Sequence, residues 1–207
     1  MSKVPKVSVV MSVYNSAKNL ANTLDSILKQ EECDFEFIVV NDGSSDSTAV
    51  ILDDYAARES RLRVIHQENT GLTRALIRGC SIAQGEFIAR QDAGDVSLPG
   101  RLKVQSEFLE NSPGVVMTGC AVRFTGPLGE LLYEVAKPME QLDEGLRQSS
   151  HDRLRGPPHH GGTMFRRNAY LKAGGYRAAF VVAQDIDLWL RLSELGSCFG
   201  TPEALYL

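Results

Sequence analysis

Residues 7–13, VSVVMSV, open the stretch on which the fold turns. A β-branched apolar run of this length reads as a strand. After the polar turn YNS, Leu20, Leu24, Ile27 and Leu28 recur at i, i+4, i+7 and i+8, the spacing of a helix with one apolar face. Phe35 to Val40, FEFIVV, gives a second strand, and NDGSSDST at 41–48 is a loop in which Ser45 or Asp46 can cap a helix over about 47–59. Further along, Leu62 to Ile65 is a short third strand, and Leu72, Ala75, Leu76, Gly79, Cys80 and Ala83 form another helical stripe. Glu86 to Ala89 is a fourth strand, and 99–110 a helix with Pro99 near its first turn. Three strand-helix-strand units in a row predict an α/β fold with a doubly wound, mostly parallel sheet and helices on both faces.

The second half is less regular. Strands are expected at Val115 to Phe124 and Leu131 to Val135 around a turn at 126–129, as antiparallel additions to the sheet edge. The stretch SSHDRLRGPPHHGG, 149–162, reads as an irregular loop, with a return to the sheet near Thr163 to Arg166. Leu188, Leu192 and Leu195 mark a last helix beginning near Asp185 and ending at Gly196. Neither an internal repeat nor a linker divides the chain, so 1–207 reads as a single domain, with about 1–98 as one half and about 99–207 as the other.

At 207 residues, 43% hydrophobic and 23% charged, the composition is that of an ordinary globular domain able to bury roughly 70% of its unfolded surface. Twenty-six acidic residues against 22 Lys and Arg leave a formal charge of −4, which offers no general attraction to nucleic acid. No apolar run approaches a membrane span, and the N-terminus lacks the apolar core and cleavage site of a signal peptide. A cytoplasmic protein is expected, with peripheral contact at the inner membrane face left open. Cys33, Cys80, Cys120 and Cys198 are about 40 or more residues apart with no CxxC, which predicts reduced, buried thiols rather than a zinc ribbon or a disulfide scaffold.

In open α/β sheets ligands bind beyond the carboxyl ends of the strands, so SVYNS, NDGSSD and RQDAGD should gather on one rim. The first turn has neither GxGxxG nor GxxxxGK[ST], which removes the motif evidence for a dinucleotide site or a P-loop. Asp42, Asp46, Asp92 and Asp95 would share that rim, where carboxylates repel one another unless a cation or hydrogen-bond donors accompany them. A divalent metal bound with a phosphorylated ligand fits such a rim. For Asp46 the plainer reading is a local turn and helix cap.

Four segments, SVVMSVYNSAKNLANTLDSIL, FEFIVVNDGSSDST, ENTGLTRALIRGCSIAQGEFIARQDAGDVSLPGRL and HHGGTMFRR followed by QDIDLWLRL, resemble in order and spacing the inverting glycosyltransferases of family 2 with the GT-A fold. The resemblance runs through nearly the whole chain. It implies a nucleoside diphosphate sugar, UDP-type favoured, as donor, and a carbohydrate or lipid-linked hydroxyl acceptor in polysaccharide or glycoconjugate biosynthesis. The backbone at Val13 and Tyr14 and the side chain of Asp42 would hold the base. Arg74 would lie close to the donor, where its fixed fork suits a diphosphate or a neighbouring carboxylate. QDAGD takes the place of the family's DxD-type motif, with Asp92 and Ala93 at the ribose. Its third position is Gly94 instead of an acid, so Asp95 is the nearest substitute for the usual ligand of a divalent cation, Mn²⁺ or Mg²⁺, with help from His159 or His160. Asp185 matches the presumed catalytic base, a carboxylate that takes the acceptor's proton as it attacks; a helix-capping role for it is compatible. Trp189, on the apolar side of its helix, is expected in the core.

The resemblance also implies that family members continue beyond GTPEALYL, so the chain reads as a catalytic core cut from a longer protein. Two other function classes remain to be separated. One is a nucleotide-sugar-binding domain without catalysis, which the loss of an acid at Gly94 would suit. The other is a nucleotidyltransferase, whose Gly-rich signature after the first strand is absent. If no metal is needed, Arg74, Arg153 and Arg155 are the cations left to neutralise a departing diphosphate.

Overall fold

The computed structural model describes residues 4–136 and 158–207. In chain order the elements are β1 (Val7–Val13), α1 (Ala17–Leu28), β2 (Phe35–Asp42), α2 (Thr48–Arg58), β3 (Leu62–Gln67), α3 (Leu72–Ser81), β4 (Phe87–Asp92) and α4 (Arg101–Glu110). They continue with β5 (Val115–Thr125), β6 (Leu131–Val135), a single 3₁₀ turn (His160–Gly162), β7 (Met164–Arg166), α5 (Arg167–Lys172), α6 (Gln184–Ser193) and β8 (Ser197–Tyr206). The 149–162 loop falls, through residue 157, outside the described residues, and Arg153 and Arg155 with it.

One eight-stranded sheet runs β3-β2-β1-β4-β7-β5-β6, with β8 also paired to β5. The four strands read from the first half are mutually parallel, β1 lying between β2 and β4. The antiparallel additions are present, but one is not at an edge. Three-residue β7 is inserted between β4 and β5 and is antiparallel to both, which lets β8 return parallel to β5.

Alternation along β1 shows why both faces carry helices. Val9 and Met11 join Leu20, Leu24 and Ile27 of α1, Leu52 of α2 and Leu102 of α4 in one core. Val10 joins Leu76 of α3, Tyr170 of α5 and Leu188 and Trp189 of α6 in the other. Replacing a fully buried leucine such as Leu24 by alanine would cost about 2–5 kcal/mol. Trp189 is buried, as expected, so its ring holds α6 to the sheet. Cys80 and Cys198 are buried, Cys33 and Cys120 only partly so, and none of the four forms a disulfide.

Candidate functional site

The first two loops are laced together on the rim. Asn15 Oδ1 accepts from the Ser45 N–H (2.8 Å), Ser44 Oγ from the Asn15 N–H (3.0 Å) and Asp46 Oδ2 from the Ala17 N–H (3.1 Å). Asp46 Oδ1 also accepts from Thr48 N–H (3.0 Å), so this carboxylate closes the start of α2 and ties it to α1, the plainer of its two readings. Thr23 fixes the third loop from α1: its hydroxyl donates to Asp95 O (2.9 Å) and accepts from Gly94 N–H (3.1 Å).

Asp42 is 2% exposed at the end of β2. Its Oδ1 accepts from Gln67 Nε2 (2.6 Å), Thr70 N–H (2.9 Å) and the Thr70 hydroxyl (3.3 Å), and its Oδ2 accepts from Gly71 N–H (2.8 Å). Burial pushes the carboxyl up, but these donors outweigh it and hold it below the ordinary value. An N–H of the base that Asp42 was expected to hold would compete for lone pairs that already tie α3 to the sheet. Val13 is buried; Tyr14 and Arg74 are exposed, and Arg74 makes no side-chain hydrogen bond or ion pair among the described residues.

The end of β4 is different. One oxygen each of Asp92 and Asp95 and one ring nitrogen of His159 lie within 4.8 Å of one another, all three residues partly buried. The structure thus brings together Asp92, Asp95 and one of the two candidate histidines. His160 is not the second: its Nε2 accepts from Arg90 Nε (3.0 Å), and the Tyr176 hydroxyl sits 2.8 Å from the same nitrogen. Since arginine only donates, His160 is neutral with its proton on Nδ1, and burial and Arg90 push its pKa down to about 3. Gly94 explains why the third motif position carries no acid. Its φ is +101°, a conformation in which an L side chain is strained, although the space around it is open.

Two buried cations missing from the sequence reading support this group. Arg90 is fully buried and donates to Asp92 Oδ1 (2.6 Å), to Gln91 O (3.0 Å) and to Val10 O. Burial works to raise the Asp92 carboxyl, and Arg90 overrides it to hold that group below the ordinary value. Asp95 has no such partner: burial, and then the neighbouring Asp92 charge, push it up. Arg101 donates to Gln91 Oε1 (3.1 Å), Ser97 Oγ (2.7 Å) and Arg90 O (2.6 Å), bracing the 91–97 turn from α4. The signal for Arg90 was a charge directly after the apolar run Phe87 to Ala89 of the same strand, which a core position tolerates only when paired.

Asp185 lies in the first turn of α6, half-buried. The residue before the helix, Ala183, takes a left-handed φ of +57°, and Asp185 Oδ1 accepts from the adjacent Ile186 N–H (2.9 Å). Its second oxygen has no hydrogen-bond partner among the described residues. The preceding loop is tied to α3 by the Thr73 hydroxyl donating to Phe180 O (2.7 Å). One turn further, Trp189 meets the His160 ring edge-on at 6.0 Å, and so joins α6 to the histidine, Arg90 and Asp92 chain.

No helix among the described residues is long and apolar enough to cross a membrane. The chain is 36% identical over its whole length to "Putative glycosyltransferase EpsE" of Bacillus subtilis, covering 73% of that protein. Among solved structures it is similar to S. aureus TarS 1–349 in complex with UDP-GlcNAc, with a TM-score of 0.78 and 20% identity over 97% of this chain. It is also similar to the mannosyltransferase PcManGT of Pyrobaculum calidifontis in complex with GDP-Man and Mn²⁺, with a TM-score of 0.73 and 21% identity over 98% of this chain. It spans 57% and 56% of those two chains. At that identity the likeness shows the fold, which is the GT-A architecture expected from the four motifs. The family model for "Glycosyl transferase family 2" matches residues 8–173. With most of its length matched and a relative of this identity aligned end to end, the chain belongs to glycosyl transferase family 2.

Proposed function

We propose that this chain transfers a sugar from a nucleoside diphosphate donor to a hydroxyl acceptor with inversion at the anomeric carbon. The observation that carries the reading is the partly buried Asp92, Asp95 and His159 group, converging at the end of β4. The donor set fits a divalent cation. Two carboxylates suit Mn²⁺ or Mg²⁺, and the imidazole favours Mn²⁺, since Mg²⁺ prefers oxygen alone. Asp95 and His159 would hold it with Asp92, which also faces the ribose with Ala93. When bound, the cation would offset the negative charge that builds on the departing diphosphate.

The chain's own residues do the rest. Val13 and Tyr14 carry the base on their backbone, Asp42 sets the loop edge beside it, and the Arg74 guanidinium, unpaired among the described residues, pairs with phosphate oxygens. Arg90 keeps Asp92 ionised. Asp185 takes the acceptor hydroxyl's proton on its unpartnered oxygen as the new bond to the anomeric carbon forms and the bond to the diphosphate oxygen breaks. UDP is the favoured nucleotide, supported by a similar fold that binds UDP-GlcNAc. The acceptor is a carbohydrate or lipid-linked hydroxyl in polysaccharide or glycoconjugate synthesis, reached on the cytoplasmic side.

The test is a thermal-shift screen of UDP- and GDP-sugars with and without Mn²⁺, followed by product analysis. A donor at 100 times its Kd stabilises by about 2.7 kcal/mol, or roughly 5–11 °C for a chain of this size. Donor binding with neither transfer nor hydrolysis would leave the chain a binding domain. No binding of any nucleotide sugar would end the proposal.

A further inference from the structure

Tyr206, near the end of β8, lies beyond the residues the family model matches and in none of the four motifs. It is fully buried, yet it meets two members of the rim group directly. Its hydroxyl accepts from the Asp92 N–H (3.0 Å). The strand end that carries Tyr206 also holds the turn just after Asp95: Val96 N–H donates to Leu207 O (2.7 Å) and Leu207 N–H to Val96 O (2.9 Å). The His159 ring lies 5.5 Å from the Tyr206 ring, centroid to centroid. On the other side the Arg101 guanidinium sits 4.9 Å over the ring, and Ser97 pairs with Tyr206 across the strand edge. Gly161 leaves room for all this: a Cβ there would fall 2.0 Å from the Tyr206 hydroxyl and 3.0 Å from Asp92 Oδ2.

Taking the rim group as the cation site proposed above, we infer that Tyr206 is the positioning residue of that site, its hydroxyl held on the Asp92 backbone, its ring against His159 and its strand end on the turn after Asp95, so that two acids and His159 converge without an acid at Gly94. The hydroxyl fixes the Asp92 backbone, and the rigid ring packs against both Arg101 and His159. Groups that orient metal ligands in this way typically change affinity 10–100-fold when removed.

The experiment is Mn²⁺ binding to the metal-free chain, followed by electron paramagnetic resonance of the free ion, in the wild type, Tyr206→Phe and Asp95→Asn. UDP binding in EDTA and the melting temperature are recorded alongside. Tyr206→Phe is expected to weaken Mn²⁺ binding about 10–100-fold while UDP binding in EDTA stays within about 2-fold of wild type. Gly161→Ala, which drives a methyl group into the hydroxyl, is expected to weaken Mn²⁺ binding in the same way, and it decides the matter if Tyr206→Phe does not fold. Wild-type Mn²⁺ binding by Tyr206→Phe, with binding lost in Asp95→Asn, would overturn the inference and leave the cation site standing. Wild-type binding by Asp95→Asn would overturn both. A parallel fall in melting temperature, UDP binding and Mn²⁺ binding would make Tyr206 merely a packing residue and overturn the inference too.

Discussion

Two acidic corners of the same rim are built in opposite ways. At the end of β2 the Asp42 carboxylate takes four hydrogen bonds from Gln67, Thr70 and Gly71, so the protein itself has answered the charge. At the end of β4, the Asp92 side chain has Arg90 as its one hydrogen-bond partner among the described residues and Asp95 forms no ion pair there, and burial with the Asp92 charge pushes Asp95 upward. A carboxylate closed off by its own chain holds structure; a pair left uncompensated waits for a ligand. On the proposed function, the β2 corner would serve the donor mainly through shape and the β4 corner through charge, with Asp185 of α6 as the base.

The largest effect should come from the base. Asp185→Asn keeps the shape and the Ile186 contact but cannot take a proton, so transfer should fall roughly 10²- to 10⁴-fold with donor affinity unchanged. Single-turnover transfer beside an equilibrium nucleotide titration reads both numbers. Near wild-type transfer would remove Asp185 from the mechanism and with it the division of labour between the two faces of the sheet.

Next come the two β4 acids, which should separate by their need for metal. Asp95→Ala is expected to abolish the gain in donor affinity that Mn²⁺ gives, a loss of at least about 10-fold, while leaving metal-free binding alone. Asp92→Ala should weaken donor binding even in EDTA. If the two variants behave alike under both conditions, or if EDTA leaves wild-type transfer undiminished, the charge reading of this corner fails.

How much of this could be read from the chain follows from what each feature looks like in one dimension. The four parallel strands announce themselves by apolar runs such as VSVVMSV and their helices by the Leu20, Leu24, Ile27 spacing, because both faces of that sheet are buried under regular layers. Three-residue β7 has no period to show, and its place between β4 and β5 is set by pairing across the sheet. Asp92, Asp95 and Asp185 were legible as acids at strand and helix ends. That His159 and not its neighbour meets the carboxylates was not, since the two differ only in which way the 3₁₀ turn sends them. Arg90, Arg101 and Tyr206 escaped notice because a buried arginine or a tyrosine in an ordinary strand gains its meaning from partners up to 114 residues away.

The Asp42 corner offers a test of smaller size. In Asp42→Asn the new amide would turn a donor toward one of the N–H groups of Thr70 and Gly71, so stability should fall by about 1.5–3 kcal/mol, roughly 3–12 °C in Tm. The sign with pH is fixed: a carboxyl held below its unfolded value of about 3.9 stabilises fully above that pH and loses its contribution as pH falls through the lower folded value. Wild type and variant should therefore converge in acid and separate above about pH 4. Abolished donor binding with no change in Tm would mean that the corner is built for the base and not for the fold.

The smallest effect tests Gly94, where the two corners differ most from what the motif would ask. Gly94→Asp restores the acid, and open space around a Cβ there means that no neighbour has to move. The backbone sets the limit: at φ +101° an L residue is strained, at a cost of about 1–2 kcal/mol if the turn keeps its shape. The turn is held by Thr23 on both sides and by Arg101 beneath, so it is expected to keep it. Mn²⁺ should then bind more tightly while Tm drops by roughly 2–8 °C. Tighter binding with no loss of Tm would show that the turn relaxes freely. Weaker binding would show that the Asp92, Asp95 and His159 spacing already suits the cation and that a third carboxylate disturbs it.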